Sequence, residues 1–158
     1  MRLLFILNFA LFLASCSTIT SSAPDSKDDK LKVNPGINWK SINSDQADYA
    51  YSSSNSDNIL FINSLCKKYE NSSIKNLMYS LLGNTDYKIL NEKNLTLFNR
   101  ETMSYEIETK VDGVKTYLNI VLLKKDRCIY DFVLINPKEK SDSNTLDEFY
   151  EIVKASSL

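Results

Sequence analysis

The chain predicts an α+β domain, a mainly antiparallel sheet with helices packed on it. Three observations carry that reading. Met103, Tyr105, Ile107, Thr109 and Val111 alternate with Thr102, Ser104, Glu106, Glu108 and Lys110, the period-two pattern of a strand with one buried and one wet face. Asp112-Gly113 follows, the signature of a two-residue hairpin turn, and residues 114–123 return as the partner strand. Two other stretches carry helical spacing: Ile74, Leu77, Met78, Leu81 and Leu82, and later Leu146, Phe149, Tyr150 and Val153.

The elements follow in order. Folding is expected to start near Trp39, with residues 47–51 as a first short strand. Residues 52–58 hold only Ser, Asn and Asp, a turn by composition. Residues 59–66 then form a second strand, apolar on both faces near its start, as in the centre of a sheet. The pair reads as a hairpin. Ser72 or Ser73 caps the helix over 74–82, and Gly83 suits the left-handed residue that ends it. Its stripe lacks the Lys/Arg-rich opposite face of an interfacial helix, so core packing is the better reading. Residues 87–90 and 95–98 are two extended pieces. Lys124 to Arg127 make the turn after the second clear strand, and residues 128–135 form another, apolar on both faces apart from Asp131. Pro137 ends it. Thr145 with Glu148 forms a capping box for the last helix. With both faces of the central strands apolar, one helix on each face supplies the cover they need.

The amino terminus reads differently. Met1-Arg2, an apolar run over 3–13, and small Ala14 and Ser15 make residues 1–15 a signal peptide. The run is interrupted by Asn8 and falls far short of the roughly 20 residues of a spanning helix. Leu13-Ala14-Ser15-Cys16 resembles the lipobox of bacterial lipoproteins. That resemblance implies a diacylglyceryl group on the Cys16 thiol, cleavage before Cys16, and an acyl chain such as palmitate on the new amino terminus. One chain holds a protein only marginally, at about 0.8 kcal/mol per buried CH₂, whereas two or three on one residue hold it stably. In many Gram-negative bacteria Asp after the cysteine retains such a protein on the inner membrane. Ser17 stands there in this chain, which implies the outer membrane, facing the periplasm. Residues 16–38, rich in Ser, Thr, Asp, Lys, Asn and Pro, are expected to be the lipidated cysteine and a flexible tether. Residues 39–158 are expected to be a single domain.

Removing residues 1–15 from the 158 leaves 143, with 18 basic against 20 acidic side chains. That balance lacks the electrostatic footprint of a nucleic-acid binder, so no nucleic-acid partner is expected. Lys67-Lys68 and Lys124-Lys125-Asp126-Arg127 are local basic groups, the second read as a solvated turn. The chain has no histidine, which removes Ser-His-Asp and Cys-His catalysis and the commonest zinc ligand. No cofactor, metal or catalytic residue is therefore expected, although serine-lysine and paired-carboxylate chemistry remain open. If Cys16 carries lipid, Cys66 and Cys128 remain in an oxidising compartment. A structural disulfide is favoured over two buried free thiols. A ring of about 60 residues would contribute roughly 4 kcal/mol.

Several residues invite a chemical reading. Asp131 is a carboxylate within an apolar strand, and a sheet-edge or lysine-paired role is favoured over function. Glu106 and Glu108 share a face and mimic a carboxylate pair, with a solvated face as the default. The nine tyrosines suit interaction surfaces but are explained by core and half-buried strand positions. Asn71-Ser72-Ser73 and Asn94-Leu95-Thr96 match glycosylation sequons and carry no weight in a bacterial lipoprotein.

The order of elements is similar to the α/β/α sandwich family of the photosystem II extrinsic protein PsbP and its relatives. The resemblance covers about residues 39–158. It rests on Asn63-Ser64-Leu65-Cys66, the Leu-rich helix at 74–82, Asp112-Gly113, Lys124-Lys125-Asp126-Arg127-Cys128-Ile129-Tyr130-Asp131, and the closing helix with Phe149. It implies a non-enzymatic accessory or binding role in an envelope complex, with an unidentified protein partner and the membrane reached through Cys16. A carboxylate-dependent periplasmic hydrolase and a small-ligand or lipid carrier are the alternatives.

Overall fold

A computed structural model describes residues 26–66, 72–137 and 140–158. The signal peptide, Cys16, the first part of the tether, Lys67-Lys68 and Asn71 lie outside these residues. The elements are β1 (Trp39–Ser41), β2 (Tyr49–Ser53), β3 (Ile59–Cys66), α1 (Ile74–Leu82), β4 (Tyr87–Leu97), β5 (Arg100–Val111), β6 (Val114–Lys125), β7 (Cys128–Pro137) and α2 (Ser143–Ala155). The strands form one sheet in the order β1-β2-β3-β7-β6-β5-β4, with every neighbouring pair antiparallel. Two hairpin systems, β1 to β3 and β4 to β7, thus meet along the β3–β7 seam.

The helices take opposite faces. The Phe149, Ile152 and Val153 side of α2 packs with Leu60, Ile62, Val121, Leu123, Tyr130, Phe132 and Leu134. On the other face Ile74, Met78 and Leu82 of α1 meet Met103, Tyr105, Ile107, Ile120 and Leu122. Side chains two apart share a face, so the apolar runs of β6 and β7 feed both cores at once. That is the α/β/α arrangement expected from the sequence.

Three two-residue turns organise the meander. Phe98 and Asn99, Asp112 and Gly113, and Asp126 and Arg127 all have positive φ, as a type I′ hairpin demands. Only one of these residues is a glycine. A Cβ at Gly113 would meet nothing within 4 Å, yet φ is +80°, so Gly113→Ala carries backbone strain alone. The expected loss is about 1 kcal/mol, read from the urea midpoint.

Several details differ from expectation. Residues 87–98 hold one strand, not two pieces. A register shift between Ile89 and Asn91 leaves Leu90 as the extra residue of a bulge. Strand β1 was not foreseen, and β2 runs two residues later than residues 47–51. The α2 cap is Asp142, whose Oδ1 accepts from the Thr145 N–H at 2.7 Å, so no capping box starts at Thr145. Glu148 instead accepts from Asn38 Nδ2. The polar side of β5 is not wet throughout. Thr102 and Ser104 are buried, and Ser104 Oγ lies 2.6 Å from the Tyr150 hydroxyl of α2.

The largest difference lies in residues 26–38, expected as tether. They are packed on the domain. Ser26 and Cys66 exchange backbone hydrogen bonds, extending the row occupied by β2. The Asp28 N–H donates to Ser64 Oγ, and the Tyr130 hydroxyl donates to Asp28 Oδ2 at 2.6 Å. Leu31 is buried in the α2-side core, and Lys32 pairs with Ser157. Composition misled because one buried leucine, with Ser26, Asp28 and the Lys32 backbone hydrogen-bonded to the domain, is enough to dock a short segment.

Tyr105 is buried against α1 with its hydroxyl unpartnered, and burial raises its pKa to about 12. Tyr105→Phe removes the orphan group and keeps the ring. It is expected to hold or raise stability, by up to about 1 kcal/mol, in thermal unfolding.

Candidate functional site

Cys66 and Cys128 are register partners at the end of the β3–β7 seam. They are joined by a disulfide with a sequence separation of 62 and Cα atoms 4.0 Å apart. The pairing follows from strand order, since each cysteine is a terminal residue of its strand.

A polar chain runs inward from this end. Lys27 Nζ is 3.5 Å from Asp48 Oδ1. Asp48 Oδ2 accepts from both the Ser64 N–H and hydroxyl, and the Asp48 N–H donates to Asn63 Oδ1. Asn63 Nδ2 then donates to Asp131 Oδ2 at 2.8 Å. Asp131 is half-buried on the α1 face, between Asn63 and Leu122 on the flanking strands. Burial pushes its carboxyl up to about 6. The Asn63 hydrogen bond works against that rise, and nearby Asp48 adds to it. Neither expected role holds: β7 is an inner strand rather than an edge, and an amide takes the place of a lysine partner.

Glu106 and Glu108 do not act as a pair. Glu106 bonds Lys140 at 2.7 Å and Glu108 bonds Lys115 at 2.9 Å. The Lys115 hydrogen bond holds the Glu108 carboxyl below its ordinary value. Glu108 and Lys115 line a cleft of about 330 Å³ beside β4.

A larger cleft, of about 510 Å³, opens at the other end of the sheet from the disulfide. The β2–β3 turn, the end of β7 and the start of α2 enclose it, through Asn55, Ser56, Asn58, Asn136, Ser141 and Asp142 among others. A second lobe of about 240 Å³ shares Asn55, Ser56, Asn58, Asp142 and Thr145 and reaches Asn38, Trp39 and Glu148. Asn119 Nδ2 donates to Ser141 Oγ at 2.7 Å and so fixes part of the wall. Hydrogen bonds from Thr145 hold the Asp142 carboxyl below its ordinary value. Asp131 lines none of these clefts. Sequence reading passed over this region because it is built from turn residues that carry no motif. The signal available was the single Trp39 and the Asn136 that interrupts an apolar strand face.

Among the described residues no group of three or more His, Cys, Asp or Glu is placed to hold a metal, and no helix is long and apolar enough to cross a membrane.

The seven-stranded antiparallel sheet with a helix on each face defines a PsbP-like α/β/α fold. The PsbP homologue CyanoP of Synechocystis matches with a TM-score of 0.60 at 11% identity, over 92% of this chain and 98% of that one. LpqN of Mycobacterium tuberculosis, a protein involved in cell envelope biogenesis, matches with a TM-score of 0.58 at 8% identity, over 85% and 90%. A Bacteroides thetaiotaomicron protein matches with a TM-score of 0.57 at 8% identity, over 81% of this chain and 44% of that one. No protein-family model and no curated protein sequence matches.

Proposed function

We propose that this chain is a membrane-anchored envelope lipoprotein, a non-catalytic accessory or binding factor of a larger complex. The observation that carries the reading is Leu13-Ala14-Ser15-Cys16 at the end of a short apolar run. The fold supports it by analogy, since LpqN, involved in cell envelope biogenesis, shares the architecture. Docking of residues 26–38 shortens the tether to the stretch between Cys16 and Ser26. Ten residues reach at most about 35 Å. The domain would therefore stay near the lipid, with its disulfide end as the point of attachment. Ser17 favours the outer membrane, facing the periplasm.

The anchor is tested by expressing the full chain and Cys16→Ala in a bacterium fed labelled palmitate. The native chain is expected to take up label and sediment with membranes, and the variant to do neither. An unlabelled, soluble native chain overturns the reading. The accessory role is tested by crosslinking and capture in mild detergent. Recovery of no envelope protein from the native host counts against it.

A further inference from the structure

Each helix covers part of its face of the sheet, and the two parts left open differ in chemistry. α2 packs on one face around β3 and β7. The rest of that face, over β4 and β5, carries Lys88, Glu106, Glu108 and Lys110, as a solvated surface requires. α1 packs on the other face over β5 and β6. The rest of that face, from β1 to β7, carries Ile42, Ile59, Phe61, Val133 and Ile135 instead. Phe61 lies between Ala50 and Val133, and Ile59 beside Ile135. The Ile42 N–H donates to the Ala50 carbonyl and extends the row to the sheet edge. Ile42 is 37% exposed and the other four are half-buried. Only Val133 touches either core.

α1 adds an apolar flank to this open half. Leu77 and Leu81 enter neither core, and Leu81 is 41% exposed. Tyr79, one residue after the buried Met78, acts electrostatically on Tyr105 together with Glu92 of β4, which turns its flank toward β4. Leu77 and Leu81 precede the buried Met78 and Leu82, so they stand on the flank toward β7. A right-handed β3–α1–β4 crossover gives the same direction.

Three observations select a second copy of this chain as what covers the open half. The surface is broad and sheet-like. Four strands about 4.8 Å apart and eight residues of β3 at about 3.3 Å each make it on the order of 500 Å². That is far wider than one hydrocarbon chain and fits another sheet. It falls short of the roughly 800 Å² per partner of a standard interface, so the α1 flank must contribute too. The layer thicknesses allow this. Stacked sheets lie about 10 Å apart and a helix is about 10 Å thick. Two copies laid open half to open half therefore place α1 of each beside β1 of the other. There Leu77 and Leu81 cover an edge strand of three residues. The chain ends supply the third observation. A two-fold axis along the strands keeps both Ser26 ends on the same side, so both tethers enter one membrane. Joining β4 to β4 antiparallel would send the tethers apart. Sharing a membrane also raises the effective concentration of the copies, which suits an interface of modest size.

We propose that the chain forms a two-fold dimer through the open half of the α1 face, sheet packed on sheet with the axis along the strands. The axis direction rests on the lipid-anchor reading above; the apolar face does not.

Self-crosslinking tests the arrangement in bacterial membranes holding the full chain. Ser52 pairs with Ile59 on the proposed face, whereas Lys88 lies on the opposite one. With a short bis-maleimide, Ser52→Cys is expected to give a dimer, and Lys88→Cys and the native chain none. Sedimentation of the full chain in mild detergent is expected to show a concentration-dependent dimer. Phe61→Lys and Leu81→Lys are each expected to weaken it at least tenfold. Leu81 is exposed on the helix, so Leu81→Lys keeps the fold. A monomer at every concentration with no Ser52→Cys crosslink overturns the proposal. So does a dimer unchanged by both folded variants, or equal crosslinking of Ser52→Cys and Lys88→Cys. Crosslinking of Ser52→Cys to a different envelope protein alone overturns it as well, since that protein then covers the face. A dimer that forms without palmitate labelling supports the interface and removes the anchor.

Discussion

Reducing the Cys66–Cys128 bond is expected to lower stability by about 4 kcal/mol. The bond closes a ring between residues 62 apart in sequence, and loop-closure entropy for that length gives the figure. Its place in the topology matters as much as the ring size. The sheet order makes β3–β7 the seam between the β1–β3 half and the β4–β7 meander. The meander is built from local hairpins, whereas the seam must be closed across a long stretch of chain. Ser26 also pairs with Cys66, so the same strand end holds the docked amino-terminal segment. Urea unfolding of the oxidised and reduced protein, or of the Cys66→Ser/Cys128→Ser double variant, checks the value. A midpoint shift equivalent to about 10–20 °C in Tm is expected. Hydrogen exchange should speed first in β3 and in residues 26–33, and much less in β5 and β6. Equal loss across the sheet would show that the seam does not unfold separately.

Much of this fold is legible in the sequence because short-range rules and the global arrangement agree. The β5 alternation, the Asp112-Gly113 turn and the α1 stripe each encode their element without help from the rest of the chain. The errors occur where a contact distant in sequence decides. Leu31 reads as an isolated apolar residue in a polar run until the core it enters is seen. Ser104 reads as solvent-facing until the Tyr150 hydroxyl of the last helix is seen to meet it. Asp142 displaces Thr145 as cap because the helix begins earlier than its apolar stripe does.

The sites divide in the same way. The disulfide is readable as the pair of cysteines left once Cys16 is set aside, and the strand register brings both together. The polar cleft is not readable, because its walls come from a turn, a strand end and a helix start with no shared spacing. Asp131 stood out in sequence as a lone acid in an apolar strand. Its true partner, Asn63, was hidden by a sequence separation of 68.

Asp131→Asn is expected to stabilise the protein at neutral pH and to leave it unchanged in acid. Burial raises the folded-state carboxyl from the ordinary 3.8 to about 6. Folding then favours the protonated form, so the native state binds more protons than the unfolded chain between those values. The sign follows directly. This group's contribution is fully present below pH 3.8, falls as pH rises from 3.8 to about 6, and is flat above. The difference amounts to about 2–3 kcal/mol at neutral pH. Asparagine keeps the shape and an acceptor for Asn63 Nδ2 without the charge that burial and Asp48 oppose. Urea midpoints measured from pH 3.5 to 8 should therefore coincide for the two proteins at the acid end and separate progressively to a plateau. Asp48→Asn should reproduce a smaller part of the gain by removing a nearby negative charge, offset by weaker bonds to Ser64. A constant difference between native chain and Asp131→Asn at every pH would mean that packing, not ionisation, governs this position. An acid that lowers neutral-pH stability while lining none of the clefts exerts its measurable effect on folding, and the pH profile is where it will be seen.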